Sequence, residues 1–164
     1  MAKVTGPLMS IEASGKFAQS IVFDRRGFAR GYTVPSNPRT DLQQKTRLAM
    51  KAAQTAAKHL NATTRTTLQG LLGYRWNAGL LAEALGANLA NFEAAKTQYS
   101  TLSVDEKAAL DDMAEALSMQ PINVPDYDQT VTAQIALYAV LLAYNRIMVP
   151  KTPITIINIG TLFA

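Results

Sequence analysis

The residue types that could carry out chemistry are few in this sequence, and their spacing does not fit a reaction. A Ser-His-Asp arrangement would have to use His59, the single histidine, and no cysteine or second histidine accompanies it to share a metal ion. Asp111 and Asp112 could work as paired acids, but adjacent acids on an exposed helix are usually only solvated. Residues 14–16, Ser-Gly-Lys, lack the remainder of a phosphate-binding loop. The sequence therefore predicts no catalytic residue, no metal ligand and no cofactor, and we expect that the protein is not an enzyme.

The composition is that of one domain with its own core. The chain has 164 residues, of which 48% are hydrophobic, and that is enough for one buried core. There is no cysteine, so disulfides and thiolate metal sites are excluded, in keeping with synthesis in a reducing cytoplasm. The opening residues M-A-K-V-T-G-P contain no apolar segment, and we expect no signal peptide.

The most apolar stretch, residues 131–149, is predicted to be a buried helix and not a membrane span. It contains Gln134, Asn145 and Arg146. A membrane helix needs about 20 predominantly apolar residues, and this stretch is marginal in length and too polar. Because a helix that is apolar nearly all round is buried in a core or by partners, we expect Gln129–Met148 at the centre of the fold or at an interface.

Charge is distributed unevenly along the chain. Residues 1–58 contain ten Lys and Arg against three acids, whereas residues 59–164 contain six against nine. Such asymmetry is typical of an arm that faces nucleic acid. It is equally typical of head-to-tail contact between basic and acidic faces of identical subunits, where complementary charge sets orientation more than affinity.

The amino-terminal third is predicted to form a β-hairpin. Phe17–Phe23 and Gly31–Val34 are rich in β-branched and aromatic residues, and the segment between them contains a glycine suited to a turn. We expect Arg25, Arg26 and Arg30 at the tip of this hairpin, either solvated or in contact with a partner. A lone hairpin is marginally stable in water, so it needs another strand, a helix or a neighbouring subunit.

The middle of the chain is predicted to be helical. Prolines before Thr40 end the extended segment, and Thr40 with Gln43 begins a capping box; Ser103 with Glu106 makes a second one. Glycines interrupt the second helix and predict a kink or the close approach of another backbone. We expect helices over residues 41–60, 63–85, 87–100 and 103–118, in addition to the last one. The inward face of the second comprises Leu68, Leu71, Leu72, Trp76, Leu80, Leu81 and Leu85.

The carboxy-terminal tail, residues 151–164, is β-branched and almost uncharged. A free tail of this kind carries an aggregation risk. We therefore expect it to be extended, and to pair with the amino-terminal strands or lie on a neighbouring subunit. The predicted fold is mainly α, with about five helices in residues 39–150, a β-hairpin or extended arm in residues 1–38, and the extended tail.

The opening third resembles a group of small tailed-phage and prophage virion structural proteins, in the motifs S-G-K, I-V-F-x-R and P-x-N-P-R-T followed by Q-x-x-R. In this chain Ala18 stands where the group often has glycine. The residues that carry the resemblance are Gly6, Ser14, Gly15, Lys16, Ile21, Val22, Phe23, Arg26, Pro35, Asn37, Pro38, Arg39, Thr40, Gln44 and Arg47. The resemblance implies a virion protein made in the host cytoplasm that assembles with other virion proteins, in the head–tail connector, neck, tail or baseplate or on the capsid.

From these observations we expect a structural protein that forms homo-oligomers, has no contact with membranes and acts through subunit assembly. The residues expected at its interfaces are Arg25, Arg26, Arg30, Arg39, Trp76, Ile154, Ile156, Ile157, Leu162 and Phe163. The alternative is a nucleic-acid-binding phage protein that contacts phosphate through its basic third. It is less favoured, because few aromatic residues are interleaved with these cations. The cations that such a protein would use are Arg25, Arg26, Arg30, Lys45, Arg47 and Lys51.

Overall fold

The computed structural model describes residues 2–3, 15–17, 21–23, 28–31, 39–148 and 153–163. The chain divides into two compact units, residues 1–38 and residues 39–164.

The amino-terminal unit contains a four-stranded antiparallel sheet of very short strands. These are β1 (Ala2–Lys3), β2 (Gly15–Phe17), β3 (Ile21–Phe23) and β4 (Phe28–Gly31), in the order β1-β4-β3-β2. In β2 and β3, Phe17 pairs with Ile21. The segment predicted as one strand therefore folds back on itself as two, because β propensity does not mark where a chain reverses.

β3 and β4 pair antiparallel, but the second strand is Phe28–Gly31 and not the predicted Gly31–Val34, of which residues 32–34 lie outside the described residues. One arginine is also placed differently from the prediction. Arg30 lies within β4, paired with Val22 of β3, and not at a hairpin tip. Arg25 and Arg26 lie outside the described residues, so their expected role stays a prediction.

The larger unit is helical, which confirms the predicted mainly α fold. A two-stranded antiparallel sheet, β5 (Ile122–Asn123) with β6 (Thr130–Val131), precedes the last helix. The described part of this unit contains the helices α1 (Asp41–Ala57), α2 (Ala62–Leu72), α3 (Trp76–Leu85), α4 (Ala90–Thr101), α5 (Val104–Ala116) and α6 (Ala133–Ile147). A 3₁₀ turn at Gly73–Arg75 divides the predicted second helix into α2 and α3.

Side-chain caps begin three of these helices. The Thr40 hydroxyl accepts a hydrogen bond from the Gln43 backbone N–H, and Asn61 caps α2 through its side-chain oxygen. At α5 the predicted capping box is complete, since Ser103 and Glu106 bond reciprocally. Hydrogen bonds from the Ser103 hydroxyl and backbone N–H hold the pKa of the Glu106 carboxyl below its ordinary value.

The last helix, α6, lies at the centre of the helical unit. It contacts α1, α3, α4 and α5. Its buried residues occur on every side of the helix: Ala133, Ala136, Leu137, Tyr138, Ala139, Val140, Leu141, Ala143 and Tyr144. The prediction of a central, buried helix is thereby confirmed. Among the described residues, no helix is long and apolar enough to cross a membrane.

The carboxy-terminal tail differs from the predicted extended strand. Residues Ile156–Thr161 form a 3₁₀ helix that packs against α5 and α6. Its buried residues Ile156 and Ile159, and the buried Leu162 that follows it, are spaced by three, which matches the three residues per turn of a 3₁₀ helix and aligns them on one face. Strand character is limited to Phe163, which forms an isolated antiparallel bridge with Leu60.

Two asparagines attach this tail to the helical unit. The Asn145 side chain of α6 accepts from the Ile154 N–H at 2.9 Å and donates to the Ile154 carbonyl at 2.8 Å. The Asn61 side chain donates to the Thr161 carbonyl at 2.7 Å, while its backbone N–H donates to the carbonyl of Leu162. The tail is therefore part of the core of its own chain.

The substitution Asn145→Ala tests this attachment. It leaves the backbone N–H and C=O of Ile154 without their partners, so we expect the free energy of unfolding to fall by about 1–3 kcal/mol in urea titrations. The control is Asn158→Ala, because the exposed Asn158 side chain makes no hydrogen bond in the described part of the chain. We expect a change within about 0.5 kcal/mol for this control. Equal effects of the two substitutions would contradict the tail arrangement.

Candidate interaction surface

The hairpin formed by α2, the 3₁₀ turn and α3 carries the most unusual surface of the helical unit. Along α2 only Thr64 and Leu68 are buried, and the helix makes most of its contacts with α3 and the turn. The rest of α2 faces solvent. A helix packed so lightly leaves most of its surface available to another molecule.

Three large apolar side chains are exposed where α2 ends, and we call them the hairpin tip: Leu71, Leu72 and Tyr74. Leu71 is 53% exposed and Tyr74 is 99% exposed. Leu71 and Leu72 were predicted on the inward face, and that part of the prediction is wrong. The reason is the break at Gly73, where α2 ends. The predicted face assumed one continuous helix, whereas most of its buried part lies in the separate helix α3.

Glycines shape the hairpin tip. Gly73 has φ +68° and ψ −156°, a backbone region open essentially only to glycine, and its N–H ends α2 by bonding to the Gln69 carbonyl. A Cβ on Gly70, by contrast, would have no heavy atom within 4 Å. Glycine at this exposed helical position lowers helix stability by about 0.5–1 kcal/mol relative to alanine. No packing within the described residues accounts for it.

A groove of about 520 Å³ lies between α1 and the hairpin, and we call it the basic groove. It is lined by Gln54, Ala57, Lys58, Arg65, Trp76 and Asn77. The Arg65 guanidinium donates a hydrogen bond to the Lys58 carbonyl at 2.6 Å. This hydrogen bond holds the Arg65 side chain at the C-terminal end of α1. Its lining contains two cations, an indole and two amides, and no acid. Such a lining suits a negatively charged or carboxylate-bearing partner.

Positive and negative charges are concentrated in different parts of the helical unit. Residues 39–75, which form α1, α2 and the turn, contain seven Lys and Arg against one acid. Residues 76–128 contain nine acids against two lysines. The hairpin tip and the basic groove therefore belong to the basic part of the unit.

The structure distributes the predicted interface residues over several places. Trp76 is half-buried, packs against the core and lines the basic groove. Arg39 makes an intramolecular ion pair with Asp126, and its expected role at an interface stays a prediction. This pair joins residues 87 apart in sequence, and no local pattern predicts it.

The predicted interface residues of the tail are mostly internal. Leu162 and Phe163 are buried and belong to the core, and so is Ile156. Ile154 is partly buried against the same core, whereas Ile157 is 74% exposed. Within this chain these residues close its own fold, and Ile157 is the accessible one among them; the role of the tail in holding a neighbouring subunit stays a prediction.

Two cations expected to contact phosphate have partners within the chain. Lys45 pairs with Asp41 at 2.8 Å, and this hydrogen bond lowers the pKa of the Asp41 carboxyl. Lys51 donates to the Asn123 carbonyl at 2.7 Å. Both cations are thus engaged in contacts within the helical unit.

The hairpin tip was missed by sequence reasoning, although a signal was present. The segment Q-G-L-L-G-Y places two leucines and a tyrosine between and beside glycines. Periodicity favoured burial of the leucines, whereas glycine in a helix often marks a packing or functional site.

Over residues 39–148 and 153–163, no group of three or more histidines or acids is placed to hold a metal ion. No family model, curated protein or solved structure matches the chain.

Substitutions at the two glycines test how the hairpin tip is built. Gly70→Ala is expected to raise the free energy of unfolding by about 0.5–1 kcal/mol, because the new methyl group meets nothing and favours the helix. Gly73→Ala is expected to lower it by about 1–3 kcal/mol, because alanine is strained in that backbone region. Urea unfolding of both variants measures the difference. A loss of stability with Gly70→Ala would mean that the helix is not open at this position.

Proposed function

We propose that this chain is a structural component of a tailed-phage virion and acts through protein–protein assembly. The observation that carries the proposal is the hairpin tip, where leucine and tyrosine side chains face solvent beside the basic groove. Tyrosine, tryptophan and arginine are the residues that most often dominate the energy of protein contacts. Arg65 and Trp76 line the groove, and Tyr74 lies at the tip.

The second support is the sequence pattern of the opening third, which resembles virion proteins. Glycine at position 70 fits the same function, since a surface that receives another backbone closely has a reason to lack a side chain there. Assembly in the particle would cover the apolar tip and compensate the helix stability that this glycine costs.

The test is incorporation of the chain into phage particles. A phage lacking this gene is complemented with the wild-type chain, with Leu71→Ser/Tyr74→Ser or with the control Leu42→Ser, and particles are purified on a density gradient. Leu42 is a matched control because it is an exposed leucine of α1, away from the hairpin. We expect wild type and control to band with particles. The double variant should lose on the order of tenfold in incorporation, a change of about 1.4 kcal/mol.

Two results would count against the proposal. Absence of the wild-type chain from gradient-purified particles contradicts a virion role. Incorporation of the double variant at the wild-type level contradicts the hairpin tip as the contact surface. Circular dichroism of each purified variant checks that the helical fold is retained.

A further inference from the structure

We propose that the basic groove and hairpin tip of one copy of this chain receive helix α5 of a second copy, in a head-to-tail contact. The inference rests on the proposed assembly function, and it names the partner and the two surfaces that meet. Both surfaces lie in the helical unit.

One side of α5 forms an acidic stripe at helical spacing. It consists of Val104, Asp105, Ala108, Asp112 and Glu115, all of them exposed. In the described part of the chain, none of its three acids has an ion-pair partner. Its apolar members are Val104, which is 83% exposed, and a small alanine that lets another surface approach.

No cation of α5 neutralises this stripe. The single lysine of the helix, Lys107, donates instead to the Ser100 carbonyl at 3.0 Å. Its ammonium also lies 5.9 Å from the centre of the Tyr99 ring. Both contacts direct Lys107 toward α4. The stripe therefore presents negative charge and a small amount of apolar surface to solvent.

The receiving side has the complementary charge. Lys58 and Arg65 of the basic groove and Arg75 of the 3₁₀ turn beside it are exposed, and among the described residues none of them forms an ion pair. In the proposed contact, the three cations of the groove and the turn would meet the three acids of the stripe. Tyr74 and Trp76 add the aromatic surface that complementary charge alone does not supply.

A second copy is the favoured partner because one chain carries both surfaces. They are different patches, so a contact between them is heterologous, and repeated contacts of this kind form closed rings or helical filaments. Complementary charge would set the polarity of each contact and speed association, whereas the aromatic residues would hold it. A ring or tube of this kind suits a part of a phage particle.

The experiment is sedimentation velocity on the full chain with charge reversals. Lys58→Glu/Arg75→Glu alters the groove and the adjoining turn, and Asp112→Lys/Glu115→Lys alters the stripe. Wild type is expected to associate, and each double variant to lose association. A chain carrying all four changes should regain it, because the charges are again complementary. The control Asp128→Lys reverses an exposed acid outside α5, and it should associate as wild type does.

Several outcomes would overturn this contact. A wild-type chain that stays monomeric at its highest soluble concentration excludes the second copy, yet the chain could still band with particles and leave the virion proposal standing. Loss of association with the groove variant but not with the stripe variant excludes α5 as the partner. Rescue by the four changes in a chain that is absent from particles would support this contact and contradict the virion function.

Discussion

Burial of α6 by four surrounding helices is the constraint on which the rest of the helical unit depends. The helix has buried residues on all sides, so any side left open would expose apolar surface to water at about 25 cal/mol per Å². Helix α1 meets this requirement with a face of buried alanines, which lets the two helices lie close together. The 3₁₀ tail covers part of α5 and α6 and is held there by Asn145 and Asn61.

The surface proposed for assembly follows from the same arrangement. Helices α1, α3, α4 and α5 are committed to α6, whereas α2 packs mainly on α3 and the turn. The apolar residues at the end of α2 are therefore not needed by the core. Leu71 and Tyr74 remain exposed, and Gly70 beside them has no side chain, which leaves the helix backbone accessible there. Residues that lower the stability of the fold without forming compensating contacts inside the chain are expected at functional surfaces.

Local signals in the sequence predict much of the fold. The capping box at Ser103 and Glu106 and the apolar sequence of α6 each depend on neighbours within a few residues, and both are present as expected. The carboxy-terminal tail shows where local signals fail, because its β-branched composition favoured a strand whereas the tail forms a 3₁₀ helix. The spacing by three of Ile156, Ile159 and Leu162 matters only when a core is available on one side.

The candidate surface was less predictable for a physical reason. Whether Leu71 is buried depends on the direction of α3 after Gly73, and this direction is set by packing of α3 on α6. The partner of Arg39 lies far along the chain, so sequence alone placed that arginine at an interface. Trp76, expected both on the inward face of its helix and at an interface, packs partly buried against the core and lines the basic groove, so the interface part stays a prediction.

Hydrogen–deuterium exchange of the free and the assembled chain tests this account most directly. Amides of α6 should exchange most slowly in both states, since α6 opens only when the unit unfolds. Amides of α2 and the 3₁₀ turn should exchange rapidly in the free chain and become protected on assembly. Fast exchange in α6, or assembly that leaves the turn unprotected, would contradict a fold centred on α6 with a contact surface on the α2–α3 hairpin.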